Sequence, residues 1–191
     1  MANFDKAYKK LKLIEGGYSN NTYDPGQETF KGISRKYHSN WIGWNLIDKF
    51  KSKYPKTFTS YIESNFLLNT FAENFYKIVY WNYFCLDEIK NQDLAHELFE
   101  SSVNIGKSET TKFLQKSLNL LNRDQTLYAD ISEDGKFGPN TKNKLFKCLK
   151  NKKDAKYLFN LLNIFQGHKY IQIGNERYIR GWLKRIKIKK K

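Results

Sequence analysis

Glu15 and Asp24, nine residues apart, are the first side chains along the sequence whose types and spacing point to a reaction. Breaking a glycosidic bond needs a proton donor for the leaving oxygen and a second group that attacks the sugar or steers a water, so two carboxylates of unequal pKa are the expected signature. Glu15 stands where an amphipathic helix is expected to end. There the carbonyl end of the helix dipole disfavours a negative charge and the adjoining apolar stripe adds desolvation, and both raise a carboxyl pKa toward what a general acid needs at neutral pH. Asp24 stands in a polar loop beside Asn20, Asn21 and Thr29, where solvent and hydrogen-bond donors keep a carboxylate ionised. Without their surroundings, a Glu before two glycines and an Asp opening a Pro-Gly turn are ordinary helix-end and turn residues.

Aromatic rings offer sugars a flat apolar face with a polar edge. Tyr18, Tyr23, Trp41 and Trp44 are candidates for such stacking, the tyrosines ahead of the tryptophans because most Trp in such chains belong to the core. Tyr18, Tyr23, Asn21 and Trp41 are taken as the substrate-binding set. Glu28 adjoins the loop and is read as an exposed turn residue ahead of a water-positioning carboxylate; Glu100 is read as a helix-surface or supporting group ahead of a catalyst. His38, His96 and His168 have no carboxylate at metal-ligand spacing, and Cys85 and Cys148 form no Cys-x-x-Cys pair, so no metal site, disulfide or cofactor is expected.

The elements that must hold these groups are mostly helical. Phe4, Ala7, Tyr8, Leu11 and Ile14 recur at three- and four-residue steps, with Asn3 as N-cap, Asp5 in the first turn and Gly16-Gly17 as the stop. Tyr18 to Ile33 is rich in Gly, Asn, Asp and Thr, with Asp24-Pro25-Gly26 as a turn and short alternating pieces such as Thr29-Phe30-Lys31 that pair as a small hairpin. Short helices are expected over 34–37 and 44–54, then a longer one carrying Leu68, Phe71, Phe75, Ile78 and Val79. Helical stripes follow at Leu94/Leu98/Phe99, Phe113/Leu114/Leu118/Leu121, Leu145/Phe146/Leu149 and Leu158/Leu161/Leu162/Phe165, and a last one lies within 178–186. The easiest boundary is the polar stretch 87–93.

The chain has 191 residues, 40% of them hydrophobic and 16% aromatic, with 3 Pro and 11 Gly, which is the composition of a packed globular protein and not of a disordered one. Its 34 Lys and Arg against 19 Asp and Glu leave a formal charge of +15, which draws it toward polyanions without naming one. Part of the excess is the run 184–191, read as a solvated tail. The first 18 residues carry charges and no apolar stretch of seven, so neither a secretory signal nor a membrane span is expected. No recognised nucleic-acid motif accompanies the charge.

The segment Glu15-Gly16-Gly17-Tyr18-Ser19-Asn20-Asn21, followed by Tyr23-Asp24-Pro25-Gly26, Glu28-Thr29-Phe30-Lys31-Gly32-Ile33-Ser34 and Trp41 to Trp44, strongly resembles glycoside hydrolase family 108, the endolysin-like N-acetylmuramidases. That resemblance places the catalytic acid of the Glu-Gly-Gly-Tyr motif at Glu15. Phe113-Leu114-Gln115, Leu118-Asn119 and Asp134-Gly135-Lys136-Phe137-Gly138-Pro139-Asn140-Thr141 look like a peptidoglycan-binding region commonly paired with these enzymes. Phage-type lysozymes, a more distant comparison, carry an Asp nine and a Thr fifteen positions after their acid; here Asp24 is nine after Glu15 and Thr29 fourteen after it.

The expectation is a mostly α (α+β), lysozyme-like fold with a small β-hairpin beside the active-site helix. Residues 1–90 form the catalytic region, 91–186 a helical peptidoglycan-binding-like region packed with it into one body, and 187–191 a basic tail. The resemblance implies hydrolysis of the β-1,4 bond between N-acetylmuramic acid and N-acetylglucosamine, with Glu15 as acid and Asp24 and Thr29 holding the water or the oxocarbenium-like charge. The expected partner is bacterial peptidoglycan, met by a monomer in the periplasm or wall after synthesis in the cytoplasm and release by a holin or export system. No nucleic acid and no membrane insertion are expected. Two other readings use the same chain: a lytic transglycosylase, which needs one Glu and no water-positioning Asp, and a non-catalytic wall-binding or secretion accessory protein.

Overall fold

The computed structural model describes residues 1–12, 16–21 and 26–187. The chain separates into two compact units, one formed by 3–82 and the other by 1–2 with 83 onward.

The first unit opens with helix α1, Phe4–Lys12. Phe4, Ala7, Tyr8 and Leu11 are its buried face, as the three- and four-residue spacing requires. The Asn3 side chain accepts from Lys6 N at 2.9 Å and so satisfies one of the orphan N–H groups of the first turn. Asp5 at the start and Lys9, Lys10 and Lys12 at the end complement the helix dipole.

Three short strands follow: β1 (Tyr18–Asn20), β2 (Glu28–Phe30) and β3 (Ile33–Ser34). They form one antiparallel sheet in which Tyr18 faces Phe30, Asn20 faces Glu28 and Phe30 faces Ile33. The β2–β3 connection is the two-residue turn Lys31-Gly32, with φ of 48° and 78°. Positive φ at both positions is what a tight hairpin turn of matching twist demands. Gly32 adopts it freely; Lys31 is held there by Lys31 N donating to Gly17 O at 2.9 Å and by Tyr76 Oη donating to Lys31 O at 2.7 Å.

The helix expected over 34–37 does not form. Ile33 and Ser34 are drawn into the sheet as its third strand, and one hydrogen bond, His38 N to Ser34 O at 2.9 Å, closes a single turn. Helices α2 (Gly43–Lys53), α3 (Phe58–Ser64) and α4 (Phe66–Tyr76) then pack on one another. The stripe expected to run to Val79 stops at Tyr76, where the backbone widens into a π-type turn over Lys77–Trp81. The wider turn re-aims the following side chains. Trp81 becomes fully buried, edge-on to Phe4 at 5.5 Å, and Ile78 is left exposed.

The second unit is built on α5 (Gln92–Ile105), α6 (Lys107–Leu120) and α8 (Lys152–Ile173), which pack on one another, with α7 (Pro139–Cys148) against α6 and the short α9 (Ile179–Leu183) against α8. The stretch 87–93 lies inside this unit. Every residue of α5 from Leu94 to Ser102 is buried, so this helix is covered on all sides. That position overturns the reading of Glu100 as a helix-surface group: it is 3% exposed, 3.2 Å from His96 Nε2 and 3.1 Å from Lys187 Nζ. Lys187 is therefore not part of a free tail. Both cysteines are free, Cys148 buried and Cys85 partly so. Among the described residues no helix is long and apolar enough to cross a membrane.

The Asp134-to-Thr141 motif is a loop closed by one side chain. Buried Gln115 donates through Nε2 to Asp134 Oδ1 at 2.9 Å and Thr141 Oγ1 at 3.1 Å, and its Oε1 accepts from Gly135 N at 2.9 Å. Gly135 has φ of 74°, and a Cβ there would lie 2.5 Å from Ser108 Oγ and 2.9 Å from Ser108 O, so both conformation and space call for glycine. Pro139 then starts α7 at a position where its missing N–H is no loss.

Candidate active site

Within the first unit, the residues flanking the Glu-Gly-Gly-Tyr motif surround a cavity of about 300 Å³, the size of a small-ligand cleft. Tyr8, Leu11 and Lys12 contribute the end of α1; Gly16 and Gly17 contribute the chain just after it. Lys31, from the hairpin turn, Tyr76, from the last turn of α4, and Glu63 of α3 complete the lining. Glu15, Tyr23 and Asp24 lie outside the described residues.

The cavity wall is charged. Burial first, and then the Lys12 ammonium, push the pKa of Lys31 down, with Glu63 opposing them. The Lys31 ammonium donates to Asn69 Oδ1, and Asn69 Nδ2 donates back to Glu63 O at 3.1 Å and to Asn65 O at 2.8 Å. Burial raises the pKa of Tyr8, with Glu73 adding to it, so its phenol stays protonated.

Beside the cavity, the sheet carries an ion network. Glu28 accepts from Tyr18 Oη at 3.0 Å, from Arg35 Nη1 at 3.0 Å and from Lys51 Nζ, while Arg35 also grips Asp48, Nη1 to Oδ1 at 2.8 Å. Burial raises the Glu28 pKa, but the hydrogen bonds from Lys51 and Arg35 outweigh it and hold the carboxyl below its ordinary value. Glu28 is thus a half-buried strand residue with both oxygens taken, not the exposed turn residue expected from its position.

The remaining sequence candidates are dispersed around this frame. Tyr18 is half-buried in β1, edge-on to Phe58 at 5.2 Å, with Lys51 5.4 Å from its ring centre. Thr29 is half-buried in β2 opposite Ser19 and Ser34, and Asn21 is exposed just beyond β1. Trp41 is buried, stacked on Phe30 at 5.9 Å and edge-on to Trp44 at 5.1 Å, and its indole fills the space a Cβ on Gly43 would need. It lines a different cleft, of about 640 Å³, with Tyr37, Phe71 and Phe75.

The model of the glycosyl hydrolase 108 family matches residues 8–106, more than half of the chain and all of the cavity lining. The chain belongs to glycosyl hydrolase family 108. Residues 109–187 match a second family model, described as a predicted peptidoglycan domain, and the Gln115-closed loop falls within it. The solved structure of Brucella abortus SagA is similar with a TM-score of 0.64 at 24% identity, over 96% of this chain and 88% of that one. The fold is thus the mostly α, lysozyme-like one expected, with a small antiparallel sheet beside α1. Comparison with curated proteins returns no match. A family 108 glycoside hydrolase joined to a peptidoglycan domain is a peptidoglycan hydrolase.

None of the lining residues of this family 108 cavity is among the site residues read from the sequence, the charged Lys12, Lys31 and Glu63 included. Glu63 sits at the end of a short helix without a motif, and Lys31 read as the edge of a hairpin. The one usable signal was Lys31-Gly32 between alternating residues, which marks a tight turn but not what the turn points into.

Proposed function

We propose that this hydrolase is an N-acetylmuramidase that cleaves the β-1,4 bond between N-acetylmuramic acid and N-acetylglucosamine, with Glu15 as its general acid. The observation that carries the reading is the lining of the cavity: Leu11 and Lys12 precede Glu15 in sequence, Gly16 and Gly17 follow it, and all four are in the wall. Protonated Glu15 gives its proton to the glycosidic oxygen as the bond from that oxygen to the anomeric carbon breaks. A water held by Asp24, with Thr29, attacks that carbon and passes its proton to Asp24. The positive charge of the chain favours encounter with the anionic wall, reached after release from the cytoplasm.

The test is digestion of purified peptidoglycan followed by mass spectrometry. Fragments with a reducing muramic acid end are the expected products. Anhydro-muramic ends would make the enzyme a lytic transglycosylase, and reducing N-acetylglucosamine ends would make it cleave the other glycosidic bond. Glu15→Gln keeps the shape of the side chain but cannot donate the proton; it should fold and be inactive.

A further inference from the structure

The peptide unit joining Gly17 to Tyr18 is gripped at both ends. Its carbonyl, Gly17 O, accepts from Lys31 N at 2.9 Å, and its N–H, on Tyr18, donates to Glu63 Oε1 at 3.4 Å. Glu63 also occupies the space over Gly17 itself. A Cβ built there would collide with Glu63 Oε1 and come within 3.2 Å of Glu63 Cδ, so the missing side chain of Gly17 is what lets the carboxylate close on the backbone. Because Gly17 has no positive φ in this structure, the glycine is explained by that close approach and not by backbone conformation.

The two gripping residues are tied to each other. Lys31 Nζ donates to Asn69 Oδ1, Asn69 Nδ2 donates to Glu63 O, and Tyr76 Oη holds Lys31 O. Opposite charges on Glu63 and Lys31 share the cavity wall, and among the described residues Glu63 is the acidic one in that lining. A side chain 45 residues from Tyr18 in sequence thus holds the third peptide unit after the motif's Glu.

We propose that Glu63 is a positioning residue of the hydrolase: with Lys31 it clamps the Gly17–Tyr18 peptide and thereby sets where the chain leaving Glu15 must run. The inference rests on Glu15 being the acid. An acid placed wrongly by about 1 Å loses up to roughly a hundredfold in rate while ground-state binding through the rest of the cleft persists. Glu63 is exposed, so its loss removes the clamp without opening the core.

The experiment measures kcat and KM on soluble peptidoglycan fragments, with thermal melting to establish folding. Glu63→Ala is expected to lower kcat by roughly ten- to a hundredfold with KM within about twofold of the parent. Gly17→Ala displaces the carboxylate from the other side and should show a fall of the same order; the double variant should be no worse than the poorer single, because both remove one interaction. Glu63→Gln, whose amide oxygen still accepts from Tyr18 N–H, should recover most of the loss. Unchanged kcat in Glu63→Ala, a loss confined to KM, or additive losses in the double variant would overturn the proposal. Glu15→Gln assayed in parallel separates the two readings: if it stays active the acid assignment fails, and if it is inactive while Glu63→Ala is unimpaired, the clamp alone fails.

Discussion

Lys187 reaches back across 87 residues of sequence to place its ammonium 3.1 Å from Glu100 Oε2, and the same nitrogen is 3.1 Å from Glu97 Oε2. Both carboxylates lie on the fully covered α5, with Glu97 1% and Glu100 3% exposed. Burying two acids one turn apart is tolerable only with cations to match them. Lys187→Met should therefore destabilise the protein by about 2 kcal/mol, below the range for a fully buried pair because the lysine is partly solvated. The corresponding fall in melting temperature is roughly 4 to 8 °C, and Lys184→Met, an exposed neighbour, should change it little.

Acid should act on the same cluster. Burial opposes the Glu100 carboxylate, but the hydrogen bond from His96 and the Lys187 charge hold its pKa down at about 2, against an ordinary 4.5. A carboxyl whose folded pKa is depressed contributes stability that is complete above its unfolded pKa and is lost as pH falls through the folded value. Melting temperature should thus decline between about pH 4.5 and pH 2, and Glu100→Gln should flatten that decline while lowering stability at neutral pH.

Gln115→Leu should loosen the loop that opens α7. Leucine leaves the buried Gly135 N–H and the Thr141 hydroxyl without Gln115 as a partner, a loss of about 1 to 3 kcal/mol. Chemical denaturation should show the lowered midpoint, and pelleting with purified wall material measures whether binding depends on this loop.

Activity on whole wall material should fall as salt rises, because the formal charge of +15 acts through long-range attraction that ions screen. Turnover of small soluble fragments, which carry few charges, should depend much less on salt across the same series. A salt-insensitive activity on wall material would make the charge incidental to encounter.

The reaction is expected to invert the anomeric carbon, with Asp24 as base to the water. Inverting pairs stand roughly 6.5 to 9.5 Å apart and retaining pairs roughly 5 to 5.5 Å. Asp24→Asn should be badly impaired, since an amide cannot take the proton of the water. Proton NMR of the first-formed product reads the anomer directly, and a glycosyl adduct trapped on Asp24 would establish retention instead.

Much of this protein is legible in its sequence wherever a property depends on neighbours within a few residues. The stripe of Phe4, Ala7, Tyr8 and Leu11 with Asn3 as cap and the helical stripes of the second unit come from spacing and residue type, while the family is legible through the resemblance of the segments from Glu15 to Trp44. What only the tertiary structure decided are chiefly relations across long sequence separations: Glu63 over Gly17, Lys187 between Glu97 and Glu100, and Glu28 locked by Lys51. The physical reason is that a charged residue carries no sign of whether water or an opposite charge will surround it. An exposed Glu and a buried, paired Glu are the same letter, and the partner that makes the difference is brought in by packing of helices and strands, which local periodicity does not encode.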